Sequence, residues 1–150
     1  MPSTLPRFDF KVEYAASSDP GRVRAQNEDA WAIAPELAAF VLSDGMGGHD
    51  AGDVASRIAV DAVVDALGTP LARATLEKYG EEPSLSRRHG VFLLLRQAFE
   101  KANAAVRAEA VRRESERGMG ATLDAAVLVR DRAFVAHSGD ARVYLARAST

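Results

Sequence analysis

Apolar and polar positions recur with two different periods along this chain, and the switch between them marks the predicted elements. Over residues 10–16 the period is two: Phe10, Val12 and Tyr14 share one side, Lys11 and Glu13 the other. That pattern predicts a half-buried strand. Residues 17–21, SSDPG, carry turn chemistry, and the polar run 22–29, RVRAQNED, predicts a loop. Two apolar runs follow at 30–34 and 37–43, separated by Pro35-Glu36. Their spacing predicts a hairpin, and the second is apolar enough to expect burial on both faces. It is expected to break at Asp44-Gly45 and enter a glycine-rich loop.

The period then changes to that of a helix. Val54, Ala55, Ile58, Ala59, Ala62, Val63, Ala66 and Leu67 fall on one stripe of a helix over 52–67, which Gly68 and Pro70 should stop. A short helix near 71–78 and a long one over 86–117 follow. The stripe of the long one runs through Val91, Leu94, Leu95, Ala98, Phe99, Ala102, Ala105, Val106 and Ala110. After Gly118-Met119-Gly120 the period returns to two. Strands are expected at 122–129 and 133–137 about a turn at Asp131-Arg132, and a last one at 142–147. Strands, then helices, then strands indicate an α+β fold rather than βαβ units. Two sheets with helices packed outside would accommodate the order.

Composition narrows the function classes. With 150 residues and 47% apolar content the chain can bury one real core. A formal charge of −2 lacks the positive excess of nucleic-acid binders. There is no cysteine, hence no disulfide framework and no thiolate metal site, which fits a cytoplasmic location. Neither a leader-like apolar segment nor a membrane-length apolar run is present, so no membrane association is expected.

The candidate chemistry lies in acids at strand ends. Glu28 and Asp29 enter a strand, Asp44 leaves one, and Asp140 sits in a Gly-Asp turn. Hard cations such as Mg²⁺ and Mn²⁺ take carboxylate, carbonyl and water oxygens, and Gly45 offers an unobstructed carbonyl. In extended backbone Glu28 and Asp29 point to opposite faces, so one faces an ion and the other supports from behind. Arg24, four residues before Glu28, is suited to grip a phosphate with its forked donors. Each of these also has a plain structural reading. Asp-Gly is a common turn dipeptide, Asp140 alone is a turn residue, Arg24 alone is a surface arginine, and His49 sits in an exposed glycine loop. His137 among small apolar residues reads as a packed core histidine bonded to backbone. Gly45 to Gly48 also allows a phosphate cradle at a helix N-terminus, although it lacks a P-loop lysine.

Taken in order, SDPGRVRAQNEDAW, VLSDGMGGHDAGDVAS and GMGATLDAAVLVRDRAFVAHSGDARVYLAR resemble the first blocks of the bacterial type 2C (PPM-type) Ser/Thr protein phosphatases. The resemblance covers roughly residues 14–147. It implies a central sandwich of two antiparallel β-sheets flanked by α-helices, a four-layer αββα arrangement left incomplete at its C-terminal side. Residues 1–13 would form a lead-in with the first strand, and 14–150 the N-terminal portion of the phosphatase domain. Asp44 then matches the aspartate bridging two Mn²⁺ or Mg²⁺ ions and Gly45 the glycine whose carbonyl joins one of them. Glu28 matches a further ligand, with Asp29 in support, and Arg24 the arginine that binds the substrate phosphate. Asp140 matches an acid tied to a third, weaker ion. The implied reaction is hydrolysis of phosphoserine and phosphothreonine on proteins by a water held between the metals, without a phospho-enzyme. Implied partners are phosphoproteins and a cognate Ser/Thr kinase. Met46 stands where eukaryotic members carry a histidine that is a candidate acid, and the neighbouring His49 leaves that role open. The family's later Ser-Asp-Gly and Asp-Asn blocks do not occur, so little or no activity is expected of these 150 residues. The alternative is a non-catalytic module that binds a phosphopeptide or a partner protein.

Overall fold

A computed structural model describes residues 11–22, 26–47, 51–113 and 118–147. The chain runs β1 (Asp29–Ala34), β2 (Ala39–Met46), α1 (Ala51–Gly68), α2 (Pro70–Glu81), α3 (Leu85–Arg112), β3 (Gly120–Ala121), β4 (Leu123–Val129) and β5 (Arg132–Ser138). The main sheet has the order β1-β2-β4-β5, and β3 pairs with the far end of β2. Every pairing is antiparallel. The α+β class follows directly. Among the described residues there is one sheet and one helical layer, half of a four-layer arrangement.

The helical side of the sheet is closed. Val41, Leu123, Ala125, Val127 and Phe134 point to it and meet Ala55, Ala59, Val63 and Leu67 of α1 and Val91, Leu95, Ala98 and Ala102 of α3, all buried. Alanines at 55 and 59, with Gly52, let α1 lie close on β2. Each buried Val or Leu contributes roughly 1.5–3 kcal/mol. Short-range signals end the helices where the sequence places them. Thr69 Oγ1 accepts from Ala72 N at 3.3 Å with Pro70 in the first turn of α2, and Ser84 Oγ accepts from Arg87 N at 3.2 Å at the start of α3. The helix expected at 71–78 is a full element, whereas α3 ends at Arg112 and residues 114–117 lie outside the described residues.

The other side of the sheet is open, which corrects one expectation. β2 is not buried on both faces: Val41, Ser43 and Gly45 are buried while Leu42, Asp44 and Met46 are exposed. The open face is apolar, with Trp31, Leu42 and Val135 each more than 40% exposed.

Among the described residues, two expected strands do not form. Residues 11–16 and 142–147 have no ladder partner and form no strand. Both lie against the open face instead: Ala15 to Ser17 and Arg142 to Tyr144 line a cleft over Trp31, Phe40 and Leu42. Tyr14 packs edge-on against Phe40 at 5.7 Å. Alternation signals a half-buried segment, but a strand also needs hydrogen-bonding neighbours, and the sheet's edges do not supply them.

β2 also differs at its end. It does not break at Asp44-Gly45 but continues to Met46, because β3 pairs Gly45 with Ala121 and Met46 with Gly120.

Candidate metal centre

The site is built where β1, β2 and the start of α1 meet. Asp29 and Asp44 are register partners across the β1–β2 ladder, so their side chains stand on the same face, the open one. Like charges directly opposite each other destabilise an antiparallel pair. Part of this is relieved locally: Ser18 Oγ donates to Asp29 Oδ2 at 2.6 Å, and Asn27 Nδ2 donates to Ser18 Oγ at 2.7 Å. Asn27 Oδ1 also accepts from Asp29 N at 3.0 Å. The polar run before β1 is therefore a bracket that orients Asp29. The Asp44 carboxylate has no partner among the described residues and is exposed.

Glu28 lies on the other side of the same corner. Its backbone carbonyl accepts from Gly45 N at 3.0 Å. Its carboxylate lies over Gly52 in the first turn of α1: a Cβ on Gly52 would stand 2.6 Å from Glu28 Oε1. Gly45 is equally confined, since a Cβ there would meet the Gly52 carbonyl oxygen at 1.9 Å and the Glu28 carbonyl oxygen at 2.8 Å. Two glycines thus let the backbones of β2 and α1 cross in contact, with Glu28 seated on the crossing. Gly45 makes this approach and not a sharp turn. Glu28 and Asp29 project to opposite sides, as extended backbone requires.

Thr122, between β3 and β4, locks Asp44 from the third direction. Its Oγ1 accepts from Asp44 N at 2.9 Å, its N donates to Asp44 O at 2.8 Å, and its carbonyl accepts from Ser43 Oγ at 2.5 Å. The turn that carries Asp140 rests on the same residue. Gly139 has φ +112°, and a Cβ there would meet Thr122 Cβ at 2.8 Å. One buried threonine therefore links the β2 acid to the turn of Asp140. The sequence patterns did not single it out.

Glu28, Asp29, Asp44 and Gly45 are thus brought together, and Asp140 is on the neighbouring turn. Arg24 and His49 lie outside the described residues. No three acidic or imidazole side chains converge on one point among the described residues. The donor set fits a hard cation that takes two carboxylates, a backbone carbonyl and waters, and the cradle that a Cβ would fill is at Gly45 and Gly52.

The chain matches the protein phosphatase 2C family model over residues 22–149. It belongs to that family. It is 35% identical over 143 residues to the serine/threonine protein phosphatase PstP of Mycobacterium tuberculosis, covering 95% of this chain and 24% of PstP. To the serine/threonine phosphatase stp of Listeria welshimeri it is 32% identical over 136 residues, 89% of this chain and 49% of that one. Among solved structures, the catalytic domain of PstP in complex with two manganese ions superposes with a TM-score of 0.65 at 32% identity, over 85% of this chain and 48% of that domain. The chain thus spans between a quarter and a half of the protein phosphatase 2C relatives it resembles. No helix among the described residues is long and apolar enough to cross a membrane.

Two residues of the open face need separate notice. Asp124 is 5% exposed inside the apolar run of β4, and its Oδ1 meets His137 Nδ1 at 2.7 Å. This corrects the expectation for His137. Its side chain is 44% exposed and bonded to a carboxylate, not packed in the core against backbone. A lone acid within LDAAVLV was the signal available for Asp124.

Proposed function

We propose that this chain supplies one wall of a two-metal centre for hydrolysing phosphoserine and phosphothreonine on proteins, with Mn²⁺ or Mg²⁺ held by Asp44, Glu28 and the Gly45 carbonyl. The observation that carries the reading is the corner itself: Asp29 and Asp44 paired across the ladder, with Glu28 seated on the Gly45–Gly52 crossing. Asp29 and Asp44 repel each other across the ladder, and a cation at the corner removes that repulsion. Asp29 supports from beside Asp44 on the open face, held by Ser18 and Asn27. Asp140 serves a third, weaker ion, and Arg24 grips the substrate phosphate. Divalent ions bound here would acidify a water and neutralise charge on phosphate oxygens. The chain's own residues do the rest: Thr122 fixes Asp44, Ser18 fixes Asp29, and the glycine crossing fixes Glu28.

A hard cation takes about six oxygens, more than Asp44, Glu28 and one carbonyl provide, so the 150-residue chain should bind metal weakly and turn over slowly or not at all. Phosphoproteins, and a kinase that phosphorylates them, are the partners that fit this reading; a cysteine-free chain fits the cytoplasm. Titration with Mn²⁺, followed by paramagnetic broadening of amide resonances, tests it. Broadening should centre on residues 28, 44, 45 and 52 and vanish in Asp44→Asn. Broadening elsewhere, or unchanged broadening in Asp44→Asn, would overturn the assignment. Hydrolysis of p-nitrophenyl phosphate at rates typical of an enzyme would overturn the expected inactivity alone.

A further inference from the structure

The polar pair on the open face is not part of the corner just described. Register places Trp31, Leu42, Asp124 and His137 in one row across β1, β2, β4 and β5. The Asp29–Asp44 pair forms the next row, two residues along, about 7 Å away. Asp124 uses only one oxygen. Its Oδ2 is buried without a hydrogen-bond partner, and an unsatisfied buried carboxylate oxygen is a substantial cost. It lines a cleft of 400 Å³ together with Trp31, Leu42, Tyr144 and Arg142. Arg142 is exposed, and among the described residues its guanidinium makes only a 3.4 Å contact from Nη1 to the Tyr144 hydroxyl, at the long limit of a hydrogen bond.

We propose that Asp124 is a positioning residue that holds the Asp140 turn from both flanks: Oδ1 fixes His137, and Oδ2 receives the Arg142 guanidinium. His137 lies three residues before Asp140 and Arg142 two after, so one buried carboxylate brackets the turn. Arg142 lines the same cleft as Asp124 and gives up little to reach its orphaned oxygen. Closure satisfies the oxygen, ties the unpaired segment after Ala141 to the open face it already lies against, and limits where the Asp140 carboxylate can stand. Its consequence for metal binding rests on the proposed role of Asp140; its geometry does not.

Amide hydrogen exchange of residues 139–142 tests this in the 150-residue chain, in wild type, Asp124→Asn, Arg142→Gln and the double variant, with folding checked by circular dichroism. Each single variant should speed exchange about tenfold, as expected for losing a hydrogen bond to a charged group. The double variant should be no faster than either single. Arg142→Lys should stay within about threefold of wild type, since it keeps the charge but not the fork. Multiplying effects in the double variant, or no effect of Arg142→Gln, would overturn the proposal. Should Asp124→Asn fail to fold, Arg142→Gln against Arg142→Lys decides: acceleration in the first alone supports the bracket, and equal rates overturn it. Mn²⁺ titration of Asp140→Asn separates the two readings. Coupling without any effect on metal binding sinks the ligand role of Asp140 and leaves the bracket standing. Weakened metal binding without coupling does the reverse.

Discussion

Replacing Gly45 by alanine adds one methyl group at the most confined of the described glycines. That Cβ would stand 1.9 Å from the Gly52 carbonyl oxygen and 2.4 Å from its carbon, both backbone atoms that no rotamer change can move. The β2 and α1 backbones must therefore separate. Overpacking of this kind costs about 1–3 kcal/mol. The Gly45 N to Glu28 O bond, 3.0 Å long, stretches or breaks with it, adding about 1 kcal/mol. A stiffer unfolded chain returns about 0.4–1 kcal/mol. The net loss is about 1–3.6 kcal/mol, and for a domain of this size that lowers Tm by about 2–14 °C. Gly68→Ala is the matched control. It also adds one methyl to a glycine, at the end of α1, but nothing stands within 4 Å of its Cβ. Alanine favours helix there, so Tm should hold or rise slightly. Thermal unfolding followed by circular dichroism reads both. If Gly45→Ala melts within about 2 °C of wild type, or if Gly68→Ala is equally damaging, the close crossing is not what Gly45 is for.

Gly52→Ala strikes chiefly the Glu28 carboxylate, a flexible group at 2.6 Å. It should melt closer to wild type than Gly45→Ala yet lose Mn²⁺ affinity at least tenfold by calorimetric titration. His137→Ala strands the Asp124 carboxylate and should cost about 1–3 kcal/mol in urea unfolding, whereas Asp124→Val with His137→Val should recover most of it. Leu95→Ala opens a cavity between α3 and the sheet and should cost about 2–5 kcal/mol while leaving the relative Mn²⁺ affinities of site variants unchanged. Glu109 near the end of α3 is held at a pKa of about 2, first by its hydrogen bond from Arg112 and then by that from Arg113. A carboxylate depressed by folding stabilises above its ordinary pKa and loses that contribution as pH falls. Amide protection over residues 109–113, taken relative to the intrinsic exchange rate at each pH, should therefore fall on acidification from its ordinary value of 4.5 towards 2 in wild type and show no such step in Glu109→Gln.

The helices and the first hairpin were legible because their patterns are local. A stripe at i, i+3, i+4 identifies α1 and α3 without knowledge of what they pack against, and two apolar runs five residues long or so with a proline between them identify β1 and β2. The described segments at 11–16 and 142–147 depart from their pattern for the opposite reason: alternation specifies a face, but only a partner makes a ladder. The Asp44-Gly45 dipeptide favours turns, so its pattern alone points to the end of a strand. In the fold the missing Cβ is used for contact with Gly52, seven residues on, a requirement visible only in three dimensions. The Asp124–His137 pair was lost by one residue of turn placement. A turn centred on 131–132 pairs Asp124 with Gly139. The turn actually occupies Arg130-Asp131, Arg130 having φ +55°, and pairs Asp124 with His137. Shifting the centre by one residue moves the cross-strand partner by two, which keeps the face but changes the neighbour.

The two faces of the sheet divide the work. On the helical face, packing by Val41, Val127, Val63 and Leu95 sets the position of β2 and α1, and through the glycine crossing that position becomes the position of Glu28. On the open face, the same strands carry Asp44, Asp29 and Asp124: Ser18 and His137 hold the Asp29 and Asp124 carboxylates, and Thr122 holds the Asp44 backbone. Thr122 is the hinge between the two, since it is buried, bonds both Ser43 and Asp44, and seats Gly139. Thr122→Val keeps its shape and removes only the oxygen that accepts from Asp44 N. It leaves that amide without its side-chain acceptor, at a cost of about 1–3 kcal/mol. Thr122→Ser keeps the acceptor and loses the methyl that touches the Gly139 turn. If the hinge description is right, the valine variant should perturb the amide resonance of Asp44 and weaken Mn²⁺ binding, while the serine variant should mainly loosen exchange at 139–141. The same response in both variants would mean that Thr122 acts only as filling, and that the β2 acid and the Asp140 turn are not mechanically joined.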